Sequence, residues 1–346
     1  MEKDCFYLYG ITNSFYAPAQ FIELEKMGLD VVQYEKIVAI VEKKTHISLM
    51  HANKEILARL LLSHQQKLEK LMEAGFSMLI PVRLGTWAKD KNEIRRILEK
   101  AYPICTDVLG RINNKIEIDV VATWGSFVSV LQEISVDKEV FELKEKLMDQ
   151  GDSVLVSDQM QMGKLVKAKL DEKAETIRQR IKESLGPYYY ELKCHEAMQD
   201  QMAANIAFLI SKNKVNSFEE ALDRLDQELK GKLNFRCVGP LPCYSFYTLE
   251  IVELDFEQIE QAKNELGINT KASSSEIRQA YLNKVRSAHP DVNSGDGNEA
   301  YFTAMRHAYD VINQYLQTAR QSSDEDLFYF TRERVEENSL LVKIKE

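Results

Sequence analysis

No apolar run in the 346-residue sequence approaches the length of a membrane span, so none is expected. The apolar stretch that follows Met1-Glu2-Lys3-Asp4 ends by Ile11, too short for the core of a secretory signal. Cysteine is sparse: Cys5, Cys105, Cys194, Cys237 and Cys243 are odd in number, widely scattered and form no C-x-x-C pair. That pattern argues against a disulfide framework and against paired zinc-ligand spacing, and points to a reduced, cytoplasmic protein without a bound metal. Missing too are the phosphate-cradling loops G-x-x-x-x-G-K-[ST] and G-x-G-x-x-G, the nucleophile elbow G-x-S-x-G and the metal motif H-E-x-x-H. His195-Glu196 has no second histidine to complete that last pattern. No catalytic residue and no cofactor is therefore assigned, and the chain is expected not to be an enzyme. An excess of positive charge is also absent. Against 45 Lys and Arg stand 54 Asp and Glu, a net charge of -9, which repels phosphate backbones and argues against nucleic acid as a partner.

What is present is an ordinary globular composition, 45% hydrophobic and 29% charged, in a chain long enough for two or three cores. Cys5–Ile11 reads as a strand, and Asp30–Tyr34 with Ile37–Val41 reads as a tight hairpin across Glu35-Lys36. Asn53–Glu73 reads as a helix with Ile56, Leu60, Leu61, Leu68, Leu71 and Met72 at helical spacing, stopped by Gly75. Met78–Leu84 is a strand interrupted by Pro81, Lys91–Tyr102 a helix and Ile116–Trp124 a strand. Together they suggest an α+β domain of ferredoxin-like type.

Val128–Leu147 reads as a helix, 150–162 as a linker, and Gly163–Leu185 as an amphipathic helix closed by Gly186-Pro187. Strands are expected at Tyr188–Cys194, Met202–Ile210, Leu233–Val238 and Ser245–Val252, with a helix at Ser217–Leu229 opened by Ser217 and Glu220. This is a second α+β unit of similar layout, without a sequence repeat strong enough to mark duplication. From Glu257 to Gln317 the signal is helical. Ser273 and Glu276 form a capping box, Ile277, Tyr281, Val285 and Ala288 share one face, and Phe302, Met305, Tyr309, Ile312 and Leu316 form a stripe on the next helix. The expected fold class is α+β: a ferredoxin-like N-terminal domain (1–126), a second α+β domain with a long amphipathic helix (127–255), an all-helical segment (256–320) and a tail (321–346).

Five segments in order carry a resemblance. They are Tyr7-Leu8-Tyr9-Gly10-Ile11; His64 with Leu79-Ile80-Pro81-Val82-Arg83-Leu84-Gly85-Thr86; Met162-Gly163-Lys164-Leu165-Val166; Ala203 through Ile210; and Val238-Gly239-Pro240-Leu241-Pro242-Cys243-Tyr244-Ser245-Phe246. Over residues 5–252 the chain resembles the gas vesicle protein F/L family, with Cys243 and Leu84 where the family usually has Pro and Phe. The residues keep their own physical reading. Gly239-Pro240-Leu241-Pro242 is a stiff connection that sets a bend, as a structural turn or as a partner-binding loop. Arg83 reads as a sheet-edge charge or an ion pair into the core. His64 reads as a solvated or capped helix histidine rather than a catalytic one. Tyr188-Tyr189-Tyr190 reads as core packing with one exposed ring, or as a recognition surface. The client-binding or structural candidates are Arg83, Gly239, Pro240, Pro242 and Tyr244.

The helical segment resembles a J domain. Leu266-Gly267-Ile268, Ile277-Arg278, Ala280-Tyr281, His289-Pro290-Asp291 with Asn293, and Phe302 through Ala308-Tyr309 with Val311-Ile312 carry the likeness. The resemblance implies an Hsp70 contact in which Asp291 meets an arginine of the partner, His289 and Pro290 shape the loop, and Arg278 and Arg286 steer electrostatically. Leu282 and Asn283 stand where further basic residues are usual, and Lys284 where an apolar residue usually packs. The two resemblances together imply a cytoplasmic, gas-vesicle-associated assembly accessory. Its expected partners are the hydrophobic major shell protein, other gas vesicle accessory proteins and Hsp70. The alternative is a minor structural component of the shell or its nucleation complex, with a degenerate J-like docking element.

Overall fold

The structure, a computed structural model, describes residues 4–14, 18–46, 53–149, 155–287, 298–322 and 326–345. The chain divides into one unit made of residues 1–68, 80–109 and 247–346 and another made of 69–79 and 110–246.

The first unit begins with β1 (Asp4–Asn13), α1 (Pro18–Lys26), β2 (Asp30–Tyr34), β3 (Ile37–Thr45), α2 (Lys54–Glu73), whose last turn from residue 69 counts with the second unit, and β4 (Leu79–Pro81). The strands lie in the order β2-β3-β1-β4, with β5 (Trp87–Ala88) pairing β1. This is the split β-α-β-β-α-β arrangement expected of a ferredoxin-like unit. Tyr7, Leu8, Tyr9 and Ile11 of β1 are fully buried, as befits a central strand covered on both faces. Glu35 takes a left-handed turn (φ 49°) that closes the β2–β3 hairpin, and Gly75 (φ 93°) follows the end of α2.

The buried stripe of α2 is Leu60, His64, Leu68 and Leu71, at spacings of four, four and three. Ile56 and Leu61, expected in that stripe, are 40% and 53% exposed. The next helix, α3 (Lys91–Ile112), does not stop before Pro103 but runs through it. Buried Ile94, Ile97, Leu98 and Ala101 precede the proline, and Cys105, Val108, Leu109 and Ile112 follow it on the same stripe. Burying those four further side chains, at roughly 1.5–3 kcal/mol each, outweighs the ~3 kcal/mol that an interior proline costs.

Strand β6 (Lys115–Trp124) corrects the expected boundary at residue 126. It pairs with β8 and β9, so it belongs to the second sheet and not to the first. The second unit is built from β6, α4 (Phe127–Ser135), α5 (Lys138–Met148), α6 (Val156–Leu185), β7 (Tyr189–Cys194), β8 (Met202–Ser211), α7 (Val215–Leu229) and β9 (Leu233–Leu241), and its four strands form one sheet. Its order is β7-β8-β6-β9, with every pair antiparallel. The second unit thus repeats the β-α-β-β-α-β arrangement of the first with two extra helices after its first strand. Its core gathers Ile118, Val120, Phe208, Phe218, Leu222 and Leu225.

Three local readings shift here. The 128–147 helix is two helices, broken at Val136-Asp137, where Asp137 caps α5 through the Glu139 N–H at 3.0 Å. Helix α6 begins at Val156, so 156–162 is helix and not linker; Asp158 accepts the Leu155 N–H at 3.0 Å and closes that end. Helix α7 begins at Val215, which leaves Ser217 inside the first turn and without a capping role.

The C-terminal region returns to the first unit. Strand β10 (Leu249–Glu253), expected as part of the second unit, pairs antiparallel with β13 (Leu340–Ile344). Between them lie α8 (Phe256–Leu266), β11 (Lys271–Ala272), α9 (Ser274–Ser287), α10 (Asn298–Ser322), β12 (Phe328–Tyr329) and α11 (Arg332–Glu337). The tail is therefore built into this region: β12 pairs β11, and Phe328, Phe330 and Val335 join the core of Ile259, Leu266, Ile277 and Ile312. Among the described residues, no helix is long and apolar enough to cross a membrane.

Candidate functional sites

Helices α8, α9 and α10 form the J-like element. Gly267, in the left-handed region at φ 72°, ends α8. Ser273 and Glu276 make the expected capping box: the Ser273 N–H donates to Glu276 Oε2 at 2.8 Å, and the Glu276 N–H donates to Ser273 Oγ at 3.3 Å. The stripes of α9 and α10 meet as the spacing requires. Ile277, Met305, Ala308, Ile312 and Leu316 are buried together, and the Tyr281 and Tyr309 rings stack with centroids 4.2 Å apart. Arg278 and Arg286 are exposed on α9. His289, Pro290 and Asp291 lie outside the described residues, as does Ala288.

The client-binding candidates fall in different units. Arg83 belongs to the first. Its N–H donates to Leu249 O at 2.9 Å, and its guanidinium, 61% exposed, lies 3.4 Å from Glu250. It is a surface ion pair, the weaker of the two expectations. Gly239, Pro240, Pro242 and Tyr244 belong to the second unit. Gly239 and Pro240 are exposed and continue β9 across a cis peptide bond, so the segment is strand rather than a connection. Gly239 takes φ 153°, and a Cβ there would sit 3.0 Å from Glu117 O, so both backbone angle and space call for glycine. Pro242 and Cys243 are buried, and Tyr244 is half-buried. Beside Gly239 and Pro240 opens a cavity of about 570 Å³ whose apolar lining is Met72, Ile116, Val215, Val238 and Leu241.

Two polar clusters escaped sequence reasoning. The first centres on His64, which is 4% exposed and not solvated. The Tyr7 hydroxyl accepts the Gly85 N–H at 3.2 Å and donates to His64 Nδ1 at 2.8 Å. The imidazole stacks on Tyr9, whose hydroxyl donates to Glu42 at 2.5 Å, and Lys44 lies 4.4 Å over the Tyr7 ring. Burial, aided by the Lys44 charge, pushes the His64 pKa down to about 4, and the ring is neutral. The signal was available: His64 lies four residues from both Leu60 and Leu68, on the stripe that faces the sheet.

The second cluster lies on β6. Ile116, Ile118, Val120 and Ala122 face the core, which places Glu117 and Asp119 together on the opposite face. Glu117 is 1% exposed. It accepts the Ser245 N–H at 2.9 Å and the Ser245 hydroxyl at 2.7 Å, while His195 Nε2 lies 3.0 Å from that hydroxyl. Burial drives the Glu117 and Asp119 carboxyls upward; Asp119 pushes Glu117 further in that direction, whereas His195 and the hydrogen bond with Glu117 pull Asp119 partly back. The serine donates to the carboxyl and so ties residues 243–246 to β6.

Comparison with known proteins agrees with this architecture. Residues 5–248 match the family described as gas vesicle synthesis protein GvpL/GvpF, and residues 264–321 match the DnaJ domain. The chain belongs to the GvpL/GvpF family and carries a J-like segment after the family body. It is similar to gas vesicle protein F of Dolichospermum flosaquae, 23% identical over 193 residues that cover 56% of this chain and 78% of the relative. Over 48 residues, 14% of this chain and 13% of the relative, it is 40% identical to the chaperone protein DnaJ of Erysipelothrix rhusiopathiae. The crystal structure of GvpF from Microcystis aeruginosa superposes with a TM-score of 0.56 at 19% identity, covering 70% of this chain and 98% of that one. The corresponding Anabaena structure gives 0.55 at 20% identity, with the same coverage. The likeness to the two solved structures is one of fold, over 70% of this chain.

Proposed function

We propose that this protein is a non-enzymatic, cytoplasmic assembly factor that binds the hydrophobic gas vesicle shell protein and recruits Hsp70 to it. The observation that carries the reading is the union on one chain of a GvpL/GvpF body with a DnaJ-type segment. A client rich in apolar surface aggregates unless it is covered, and a J-like element beside the covering protein brings the chaperone to the place of need. The body offers apolar surface of its own: Val128, Val136, Met148, Leu155 and Val156 are each at least 65% exposed in the second unit. Single exposed apolar residues are ordinary; these five fall along α4, α5 and the start of α6.

The test is a pull-down of the tagged full-length chain from cells that express the shell protein and the cognate Hsp70. Both partners are expected with the wild type, and the shell protein without Hsp70 is expected with His289→Gln. Equal Hsp70 recovery with both chains contradicts the recruiting role. A point substitution is the right tool, because ending the chain near Asp255 removes β13, the partner of β10, and most of the core around Ile259.

A further inference from the structure

Strand β9 ends the second unit's sheet. Strand β6 lies on one side and, among the described residues, no strand pairs with the other. Arg236, Cys237, Gly239 and Pro240 along it are exposed. The Gly125 N–H donates to Lys232 O at 2.8 Å, and the register runs from Trp124↔Leu233 to Asp119↔Val238. Antiparallel alternation then turns the Asn234 and Arg236 N–H groups toward β6 and those of Phe235 and Cys237 outward. An outward row of main-chain groups is a template for an added strand.

Two features say what kind of strand fits. The cavity of about 570 Å³ at the Val238–Leu241 end presents apolar walls, so it receives apolar side chains. The charges at the cavity end of the edge are mostly negative, while Lys230 and Lys232 lie at the other end. Glu69 and Glu73 line the cavity together with Lys212. Partial desolvation by its neighbours raises the pKa of the Cys237 thiol, and the Glu219 and Asp223 carboxylates of α7 add to that shift. Four carboxylates against Lys212 and Arg236 favour a segment flanked by lysine or arginine and disfavour an acidic one.

We propose that the open edge of β9 is the client-docking surface, where an extended apolar segment of the shell subunit, flanked by a basic residue, adds as a strand with its side chains in the cavity. This deepens the assembly reading and rests on it.

Two measurements test it, both on the full-length chain co-expressed with the major shell protein. Cys237→Pro removes an outward N–H, and Val238→Asp places a charge in the cavity; each is expected to cut shell-protein recovery roughly tenfold. Because either variant could disturb folding, the wild type provides the second measurement. On binding, alkylation of Cys237 relative to exposed Cys194 should fall about fivefold as the edge is covered. Shell protein retained with Cys237 still fully reactive overturns the strand-addition inference and leaves the assembly reading standing. A wild-type chain that retains no shell protein overturns the assembly reading and the inference with it.

Discussion

The Tyr7 hydroxyl lies 2.8 Å from His64 Nδ1, which joins the first strand to the long helix by a buried hydrogen bond across 57 residues of sequence. With the ring neutral and its other nitrogen donating to the Val82 backbone, Nδ1 is left to accept the tyrosine proton. Stability should therefore fall on mild acidification. Below pH 6.5 the unfolded chain binds a proton at this histidine, while the folded chain resists until about pH 4. The native state loses roughly 3 kcal/mol across that window. Urea melts at pH 7 and pH 4.5 check this, and His64→Gln should flatten the difference.

Glu117 predicts the opposite slope. Burial raises its folded pKa above the ordinary 4.5, so the folded chain holds a proton that the unfolded chain has released. Stability contributed by this carboxyl is full below the ordinary value and declines as pH rises above it. Glu117→Gln keeps an acceptor for Ser245 and cannot ionise. Its melting temperature should depend less on pH between 5 and 8 than that of the wild type.

Glycine position matters unequally. A Cβ on Gly125 would lie 2.1 Å from Gly231 O, whereas one on Gly163, within α6, would meet nothing within 4 Å. Gly125→Ala should cost about 3 kcal/mol through forced backbone movement. Gly163→Ala should stabilise by about 0.5–1 kcal/mol through helix propensity. Chemical denaturation of the two variants gives the comparison.

The J-like segment predicts a loss of function without loss of fold. His289→Gln should abolish stimulation of the cognate Hsp70 ATPase, and Arg278→Glu, on the exposed face of α9, should weaken it in a salt-dependent way. Arg278→Glu should leave the melting temperature within about 1 °C of the wild type, because surface substitutions seldom move stability far. An ATPase assay over a range of salt concentrations separates the two effects.

Local signals in the sequence translated well. The β2–β3 hairpin, the Gly75 stop, the Ser273–Glu276 box and the facing stripes of α9 and α10 all depend on residues close together in the chain. Sheet membership did not, because β6 follows the first unit in sequence but takes its partners from residues 202–241. The same limit hid the pairing of β10 with β13, nearly a hundred residues apart. Pro103 misled in another way: a strong local breaker was overruled by an apolar stripe that continues beyond it. At the candidate sites, the segment near 239 was read as a stiff connection, whereas it continues β9 as far as Leu241. The Glu117–Ser245 tie was not readable, since it links residues 128 positions apart.

The central claim, that the chain keeps the shell protein from aggregating, is most directly tested by sedimentation. The major shell protein is expressed alone, with the full-length chain, and with a chain carrying Cys237→Pro and Val238→Asp, and the soluble fraction is quantified. The account predicts a soluble shell protein with the wild-type chain and a pelleted one in the other two strains. A shell protein that pellets equally in all three would contradict it.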